Sequence, residues 1–292
     1  MLGNQHPYRV PDGAGPLPLF LRGFMATPDD KYLKLQGILR EMGSLLVAFS
    51  GGVDSTFLLK AACDTLGAEA VCAVTATSPT YPESELNEAK RLAALIGAQQ
   101  LLIESNELEI PGFSGNPRDR CYHCKSELFK LCTDKARELG LAFVADGSNT
   151  DDLGDYRPGR TAACELKVRS PLLEAGLSKG DIRELSRSLG LPTWNKQAYA
   201  CLASRFPYGT EITQQRLSQV EQCEEFLKGE RFTVYRVRFH LESARIELCE
   251  AELPRMLEPA LRGRVLEFFR AAGFTYVSLD LQGYRSGSMN EA

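Results

Sequence analysis

Short apolar runs alternate with amphipathic stretches along the first two thirds of the chain. Each run has the continuous apolar pattern of a strand that is buried on both faces, and the stretches between the runs carry apolar residues at helical spacing. This alternation predicts an α/β fold with a doubly wound parallel sheet, whose ligands bind at the carboxyl ends of the strands. The predicted strands span 45–49, 71–75, 101–103 and 143–147, and the predicted helices span 31–42, 56–66, 83–96, 124–139 and 177–189.

The pattern changes after residue 212. Behind a first helix, the segments follow the order β-β-α-β, which indicates a smaller α+β domain. We place one domain at residues 29–207 and the other at 208–292, and we predict that the proline- and glycine-rich residues 1–28 form a disordered extension. The later segments are a helix at 214–227, strands at 233–239 and 245–249, a helix at 252–271 and a strand at 275–281.

The composition excludes some classes of protein. Hydrophobic residues make up 43% and charged residues 25% of the chain, the balance of an ordinary soluble globular protein. The net charge of −4 provides no global basic field, so no nucleic acid partner is expected. No apolar run approaches the roughly 18 residues of a membrane helix and no signal-peptide pattern occurs, so we expect a cytoplasmic protein without a membrane partner.

Residues 50–55, of sequence SGGVDS, join the first predicted strand to the next helix. The two glycines would let backbone N–H groups reach a phosphate, and the helix start adds the positive end of its dipole. The hydroxyls of Ser50 and Ser55 are suited to the same phosphate oxygens, and Asp54 is suited to cap the helix or to help hold Mg²⁺. The loop lacks the Gly-Lys-Ser/Thr ending of kinase-type loops. We predict a phosphate-binding loop; the alternative is a tight turn that binds nothing.

A second polar loop follows the fourth predicted strand. Residues 146–152, of sequence DGSNTDD, supply three carboxylates that suit a divalent metal ion bridging phosphates. Arg157 follows and is suited to a bidentate contact with a phosphate or a carboxylate. The alternative is a solvated acidic loop closed by turn residues. Because this loop is expected near the phosphate loop, we favour the ligand-binding interpretation.

Three of the nine cysteines stand out. Cys121 and Cys124 form a CxxC pair at a predicted helix start, where thiolates are favoured, and Cys201 lies in a separate segment. The odd cysteine count without an export signal argues against a disulfide framework. If Cys201 approaches the pair, three interpretations stay open: a 4Fe–4S cluster with one open iron, a zinc site completed by His123 or water, and a redox disulfide within the pair. The other six cysteines are interpreted as small core or surface residues.

These motifs together resemble the LarE family of ATP-dependent sulfur transferases, which belongs to the PP-loop superfamily of enzymes that cleave ATP to AMP and pyrophosphate. The resemblance runs from about residue 31 to residue 290, with several motifs in the same order. The segments that carry it are VAFSGGVDS at 47–55, RCYHCK at 120–125, DYRPG at 155–159, ACLASR at 200–205, PYG at 207–209, RVRFH at 236–240 and DLQGYRSGS at 280–288.

The resemblance implies a reaction. A carboxylate of pyridinium-3,5-biscarboxylic acid mononucleotide is adenylated by ATP, and sulfur then displaces AMP, as a step towards the nickel-pincer nucleotide cofactor of lactate racemase. Some family members spend a single cysteine at the position of Cys201, whereas others hold a 4Fe–4S cluster on three cysteines. Because Cys121 and Cys124 are present here, the resemblance points to the cluster version. It also implies a homo-oligomer, and a sulfur donor protein or sulfide as the sulfur source.

Arg236 and Arg238 alternate along one predicted strand, so their side chains share a face. They are suited to grip the phosphate and carboxylates of the substrate, and Arg205 is a further candidate. The resemblance implies an acidic residue beside these arginines, for which Glu247 is the best match and Glu224 the second. The alternative is an exposed strand edge that is kept soluble by charge.

The predicted site residues fall into three groups. Catalytic and cluster-binding roles are predicted for Cys121, Cys124 and Cys201. Substrate binding is predicted for Arg205, Arg236, Arg238 and Glu247. Nucleotide binding is predicted for Ala48, Ser50, Gly51, Gly52, Asp54, Ser55, Thr75, Gly147, Asp151 and Arg157, with Thr75 near the adenine and Asp54 also on Mg²⁺.

Three other functions stand against this hypothesis. A tRNA-thiolating PP-loop enzyme is disfavoured by the net charge of −4 and by the lack of an evident RNA-binding motif. An amide synthetase that uses ammonia would leave the three cysteines without a role. A non-catalytic module that senses ATP is disfavoured by the intact phosphate loop and its acidic partners.

Overall fold

The computed structural model describes residues 26–154, 158–197, 200–285 and 288–290, so most of the predicted extension lies outside it. The helices are α1 (Pro28–Met42), α2 (Val53–Leu66), α3 (Glu83–Ile96), α4 (Arg120–Glu138), α5 (Pro158–Glu165), α6 (Pro171–Ala175), α7 (Lys179–Ser188), α8 (Gln214–Gly229), α9 (Leu253–Met256) and α10 (Pro259–Ala271). The strands are β1 (Leu45–Ala48), β2 (Val71–Thr77), β3 (Gln99–Glu104), β4 (Phe143–Ala145), β5 (Tyr235–His240), β6 (Ser243–Leu248) and β7 (Tyr276–Leu279). Within the described ranges, no helix is both long and apolar enough to cross a membrane.

The first sheet is parallel throughout and, in the described part of the chain, has four strands in the order β3-β2-β1-β4. Leu45 of β1 pairs with Val71 of β2 on one side and with Phe143 of β4 on the other. The chain runs outward from β1 to β3 and then returns to the far side of β1. The strand order therefore reverses between β1 and β4. The predicted α/β fold with a doubly wound parallel sheet is confirmed.

Helices cover both faces of this sheet. Successive residues of β1 point to opposite faces: Leu45 and Val47 pack in one core with α1, α2, α3 and α7, whereas Leu46 packs in another with α4 and α5. Leu45, Leu46 and Val47 are all buried, so β1 is covered on both faces. This burial explains why the sequence of β1 is continuously apolar rather than alternating.

Two helices on the same side of the sheet begin with a capping box. At the start of α1, Thr27 accepts a hydrogen bond from the Asp30 N–H, and the Asp30 carboxylate accepts one from the Thr27 N–H. Ser178 and Asp181 repeat this pattern at the start of α7. Each box satisfies helix N–H groups that have no partner within the helix. Asp181 also pairs with Lys31 at 2.6 Å, which ties α7 to α1.

A second, smaller sheet has the order β5-β6-β7, with β5 antiparallel and β7 parallel to β6. Helices α8 and α10 pack on this second sheet in a core of its own, called the second core below, which contains Val220, Phe239 and Val265. This core also takes in Leu202 and Phe206 from the segment after Cys201. The predicted order β-β-α-β is confirmed, and the domain boundary at residue 207 stays a prediction.

Some local predictions are wrong. The helix predicted at 252–271 is two helices, because Pro259 lacks an N–H and its ring would clash with a preceding helical turn, so a new helix begins there. The helix predicted from residue 124 begins at Arg120, so the CxxC pair lies within α4. The apolar pattern does not predict α5 and α6, since five to eight residues are too few to show a helical period.

Gly283 and Gly263 allow a matched test of the second core. Gly283 has φ +69°, and an added Cβ would lie 2.8 Å from the Leu248 carbonyl oxygen, which accepts a hydrogen bond from the Tyr284 N–H. Gly283→Ala should lower the free energy of unfolding by about 2 kcal/mol or more, because backbone strain and overpacking act together. Gly263 is exposed within α10 with open space around its Cα, so Gly263→Ala should raise it by up to about 1 kcal/mol. Urea denaturation measures both changes, and equal midpoints would contradict the packing described for residue 283.

Candidate active site

The predicted phosphate loop is anchored to β2. The Phe49 N–H donates to the Val74 carbonyl oxygen at 2.8 Å, and Thr75 Oγ1 donates to the Phe49 carbonyl oxygen at 2.8 Å. Thr75 is buried, and its hydroxyl also accepts a hydrogen bond from Gln100 Nε2 at 2.9 Å. The hydroxyl of Thr75 therefore holds the loop in place, and the predicted contact of this residue with adenine stays a prediction.

The loop turns back on itself directly after Ala48, the last residue of β1. Ser50 Oγ and Ser55 Oγ lie 3.2 Å apart, and Ser55 Oγ donates to the Gly52 carbonyl oxygen at 3.3 Å. Gly51 has φ +64°, a conformation that residues with a Cβ rarely adopt. Gly52 is the N-cap of α2 and has no side chain with which to satisfy the first N–H groups of that helix. Such a helix start suits an anion.

Gly147, two residues after β4, lies against the start of α2. A Cβ built on Gly147 would be 3.0 Å from the Ser55 nitrogen and 3.3 Å from the Asp54 Cβ. Such contacts are tighter than most Cβ contacts in proteins, so glycine favours this approach, which brings the loop after β4 next to the phosphate loop. The two loops meet where the strand order reverses between β1 and β4, the usual ligand crevice of such sheets.

The acidic residues after β4 accept hydrogen bonds that shape their own loop. Asp151 is exposed and accepts from the Lys179 N–H at 2.7 Å, and the buried Asp152 accepts from the Asn149 N–H at 3.0 Å. Across the described ranges, no group of three His, Cys, Asp or Glu side chains converges closely enough to hold a metal ion. Arg157 lies outside the described residues. The nucleotide-binding roles of Asp151 and Arg157 stay predictions.

The three predicted cysteines come within electrostatic reach of one another. Cys121 and Cys124 lie three residues apart in the first turn of α4, so they share one face of the helix. Burial raises the pKa of the Cys124 thiol, and the charge of Cys201 raises it further. Desolvation of the sulfur also raises the pKa of Cys121, although that residue is exposed as a whole, and Cys201 again adds to the effect. Cys201 is exposed, directly before a short 3-10 turn.

Arg205 is completely buried and holds the backbone on both sides of Cys201. Its Nε and Nη2 donate to the two carboxylate oxygens of Glu224 at 2.9 and 2.8 Å. Its Nη1 donates to the carbonyl oxygens of Ala200 and Cys201 at 2.6 and 3.2 Å. Burial acts to raise the pKa of Glu224, but the charge and hydrogen bonds of Arg205, the Val237 N–H and the charge of Arg236 together outweigh it and hold this pKa below its usual value. The geometry gives Arg205 a positioning role, and its contact with substrate stays a prediction.

Glu247 lies at the centre of a second charged cluster. Arg238 Nε and Nη2 donate to Glu247 Oε2 at 3.0 and 2.7 Å. Arg245 Nη2 and Ser288 Oγ donate to the other carboxylate oxygen at 3.1 and 3.0 Å. Arg236, two residues before Arg238 on β5, lies directly opposite Glu247 in the strand register. The structure therefore brings Glu247 beside both predicted arginines, of which Arg238 is engaged in the buried ion pair and Arg236 lines a cavity.

This cavity, of about 200 Å³, lies between the start of α3, the segment that leads to Cys201, α8 and β5. Its lining includes Lys196, Leu202 and Arg236. Because Leu202 directly follows Cys201, the cavity connects the arginine strand with the cysteine segment. Lys196 also contacts the phosphate loop, with Nζ 3.2 Å from the Gly51 carbonyl oxygen.

Comparisons with known proteins decide the family. No family model matches the chain. It is 41% identical over 267 residues to the pyridinium-3,5-bisthiocarboxylic acid mononucleotide synthase of Lactiplantibacillus plantarum, a match that covers 91% of this chain and 96% of that protein. The chain belongs to the LarE family. It is also 44% identical to an uncharacterized protein of Synechocystis sp. (90% and 97% covered) and 30% identical to one of Methanocaldococcus jannaschii (88% and 98% covered).

A buried glutamate beside the cysteines of this LarE family chain was not predicted. Glu107 is 5% exposed, and Cys124 Sγ lies 3.9 Å from its Oε1. Burial raises the pKa of Glu107, although hydrogen bonds from Ser78 and Thr80 oppose the shift. No hydrogen-bond partner of Glu107 Oε2 occurs in the part of the chain that the structure describes. The Cys124 thiol therefore lies against a carboxyl group that burial keeps from ionising as readily as usual.

Sequence reasoning also missed Lys196 and Arg245 in the LarE family site. Lys196 and Glu107 occur in polar stretches, where a charged residue usually indicates a solvated surface. A signal for Arg245 does exist, because Arg245 pairs with Arg238 in the register of β5 and β6. A hairpin prediction for these two strands would have placed the two arginines side by side.

The raised pKa of Glu107 makes stability depend on pH. In the unfolded chain a glutamate ionises near pH 4.3, so the contribution of the protonated carboxyl is fully present below that pH and is lost as pH rises through the higher folded-state pKa. Glu107→Gln cannot ionise. In reduced, metal-free protein, this variant should become more stable relative to wild type as pH rises above about 4.3, and the gain should level off once the pH has passed the raised pKa of folded Glu107. Urea denaturation at several pH values measures the difference.

Glu109→Gln is the matched control, since Glu109 is exposed in the same short 3-10 turn. Its stability difference from wild type should stay constant over the same pH range. An identical pH response of the two variants would contradict the burial of the Glu107 carboxyl group.

Proposed function

We propose that this protein is an ATP-dependent sulfur transferase. It adenylates the carboxylates of pyridinium-3,5-biscarboxylic acid mononucleotide and replaces AMP by sulfur to give thiocarboxylates for nickel-pincer nucleotide biosynthesis. The sulfur is delivered through a 4Fe–4S cluster on Cys121, Cys124 and Cys201. The observation that carries this proposal is that Cys201 lies close enough to Cys121 and Cys124 to raise the pKa of both thiols. These residues lie next to a cavity that is lined by Leu202 and by Lys196, which contacts the phosphate loop. The identity of 41% to the synthase supports the same reaction.

The crevice between β1 and β4 fits the phosphates of ATP. A Cβ at Gly51 would strain the backbone, and a Cβ at Gly147 would lie only 3.0 Å from the Ser55 nitrogen at the start of α2, so both positions favour glycine. The hydroxyls of Ser50 and Ser55 lie together at the same place, as partners for phosphate oxygens. Asp54, in the first turn of α2, is the candidate for a Mg²⁺ contact.

Adenylation in this crevice is mainly a matter of positioning and electrostatics. A carboxylate oxygen of the substrate attacks the α-phosphorus of ATP, the bond to the bridging oxygen breaks, and pyrophosphate leaves with the electron pair. N–H groups of the phosphate loop and of the start of α2 bind the phosphates, and Arg236 is placed to bind an anionic group of the substrate in the cavity. The AMP ester is a reactive acyl donor because AMP is a good leaving group.

The donor set suits a cluster. Three thiolates are the ligands of a 4Fe–4S cluster that keeps one iron open, whereas a zinc site would also need a fourth ligand, a protein side chain or water. His123, the residue considered as a zinc ligand, lies 3.6 Å from Asp119. A 4Fe–4S cluster would be held by Cys121, Cys124 and Cys201 and would supply a site for a sulfur nucleophile.

The chain contributes a fixed geometry to this step. Arg205 binds the carbonyl oxygens on both sides of Cys201 and pairs with Glu224, so it holds the backbone around Cys201 against α8. Burial keeps Cys124 protonated in the metal-free protein, so binding of iron there must release a proton. Leu202, which packs in the second core, places the cysteine segment at the edge of the cavity.

Gly147→Ala and Gly154→Ala test the nucleotide site as a pair. A Cβ at Gly147 would press on the start of α2, whereas no atom of the described residues lies within 4 Å of a Cβ built on Gly154. Gly147→Ala should lower substrate-dependent formation of AMP and pyrophosphate by about tenfold, because the start of α2 must shift slightly and a shift of about 1 Å in an active site costs about 100-fold. Gly154→Ala should keep wild-type turnover. The assay contains ATP, Mg²⁺, the pyridinium dicarboxylate mononucleotide and sulfide, with nucleotides and thiocarboxylate measured by mass spectrometry.

Two outcomes would contradict the proposed function. One is ATP turnover that responds to ammonia or tRNA and not to the pyridinium substrate. The other is wild-type turnover by Gly147→Ala protein, which would place the nucleotide elsewhere.

The cluster is tested with Cys121→Ser, Cys124→Ser and Cys201→Ser. After anaerobic reconstitution with iron and sulfide, wild type should bind about four iron atoms per chain, and each variant should lose most of that iron and its visible absorption. Sulfur transfer should fall in parallel, while binding of ATP should persist. Cys164→Ser is the control, because Cys164 is exposed and outside the site. Full sulfur transfer by Cys201→Ser protein would contradict the proposed route of sulfur.

A further inference from the structure

The phosphate loop carries no cation of its own. Residues 50–55 contain one charged side chain, the carboxylate of Asp54, whereas a kinase-type loop ends in a lysine that reaches the phosphates. A triphosphate brings several negative charges to the crevice, and a helix N-terminus supplies only about half a positive charge against them. A cation from another part of the chain is the natural complement.

Lys196 has the contacts expected of that cation. Its Nζ donates to the Gly51 carbonyl oxygen at 3.2 Å and to Glu85 Oε2 at 2.7 Å, and its side chain is 19% exposed. An ammonium group has three N–H donors, and in the described part of the chain Lys196 uses two of them. It lines both the cavity of about 200 Å³ and a neighbouring one of about 380 Å³. One donor thus remains for a ligand beside the phosphate loop.

The backbone of Lys196 is held as firmly as its side chain. Arg183 of α7 donates to the carbonyl oxygens of Trp194 and Lys196 at 2.7 and 2.8 Å. The Lys196 N–H donates to the Thr193 carbonyl oxygen at 2.9 Å. A lysine that is fixed at both ends loses little further freedom when it binds a phosphate, so its charge is used efficiently.

Lys228 lines the same cavities and serves as a comparison for Lys196. It lines the same two cavities from α8, but it is half-exposed and pairs with Glu225 at 3.4 Å. No contact of Lys228 with the phosphate loop occurs among the described residues. The two lysines therefore share the cavities and differ in whether they contact the loop.

We infer that Lys196 binds the β- and γ-phosphate oxygens of ATP and then the pyrophosphate that leaves. This inference rests on the proposed function and adds the cation that the phosphate loop lacks. When the bond between the α-phosphorus and the bridging oxygen breaks, its electron pair stays on pyrophosphate, and Lys196 stabilises that added charge. AMP keeps only the α-phosphate and does not need this contact.

Lys196→Gln isolates the charge, because the amide keeps an N–H donor for the Gly51 carbonyl oxygen. Calorimetric titration with Mg·ATP, with pyrophosphate and with AMP should show about a tenfold or greater loss of affinity for ATP and pyrophosphate, and a change of no more than about twofold for AMP. Lys196→Arg should restore part of the pyrophosphate affinity. Lys228→Gln should bind all three ligands like wild type.

The outcomes distinguish the inference about Lys196 from the proposed function. If wild type binds neither ATP nor pyrophosphate, both the inference and the proposed function are wrong. If wild type binds them and Lys196→Gln protein binds them equally well, or loses AMP to the same extent, the inference alone is overturned.

Chemical footprinting of the wild-type protein tests phosphate binding by Lys196 if the Lys196→Gln variant does not fold. An amine-reactive reagent is applied with and without pyrophosphate, and modified peptides are quantified by mass spectrometry. Pyrophosphate should slow modification of Lys196 several-fold and leave Lys228 unchanged. Equal rates at Lys196 with and without pyrophosphate would overturn the inference.

Discussion

A buried ion pair between Arg205 and Glu224 ties the parts of the proposed site together. Glu224 on α8 accepts both ends of the guanidinium fork and also the Val237 N–H of β5 at 3.0 Å. The remaining nitrogen of Arg205 holds the peptides around Cys201. Such pairs add little net stability because desolvation offsets attraction, but losing one partner costs about 3–5 kcal/mol. The pair therefore acts on geometry: the cysteine segment cannot move without exposing or isolating a buried charge.

The described residues between 190 and 206 connect the parallel sheet with the small sheet. Lys196 contacts the phosphate loop. The Leu202 N–H donates to the carbonyl oxygen of Thr80, a residue that follows β2, at 2.9 Å, and Phe206 packs in the second core. One short stretch thus touches the nucleotide crevice, the edge of the parallel sheet and the small sheet. In the proposed reaction this arrangement keeps the sulfur source and the activated carboxylate at a fixed separation, which is the main way in which a protein accelerates an intermolecular transfer.

The fold could be predicted from the sequence to a large extent because its cause is local. Continuous apolar runs mark strands that are covered on both faces, and the helix over Glu83–Ile96 begins and ends where the apolar spacing predicts. Failures occur where periodicity has no room to appear, as in α5 and α6, or where a single proline divides a helix, as Pro259 does. The turn at residues 49–52 was also predictable, since a strand, two glycines and a helix start are consecutive in the chain, and its binding of phosphate stays a prediction.

The parallel sheet and the glycine turn between β1 and α2 follow from the sequence alone, because each is encoded in short consecutive stretches of the chain. Which charges meet depends on the tertiary fold. Lys196 and Gly51 are 145 residues apart, and Glu107 and Cys124 are 17 apart across a turn of the chain. The local sequence around a charged residue is the same whether its side chain is solvated or forms a buried ion pair. Its role is set by the surface that folding brings against it, through desolvation and the partners found there.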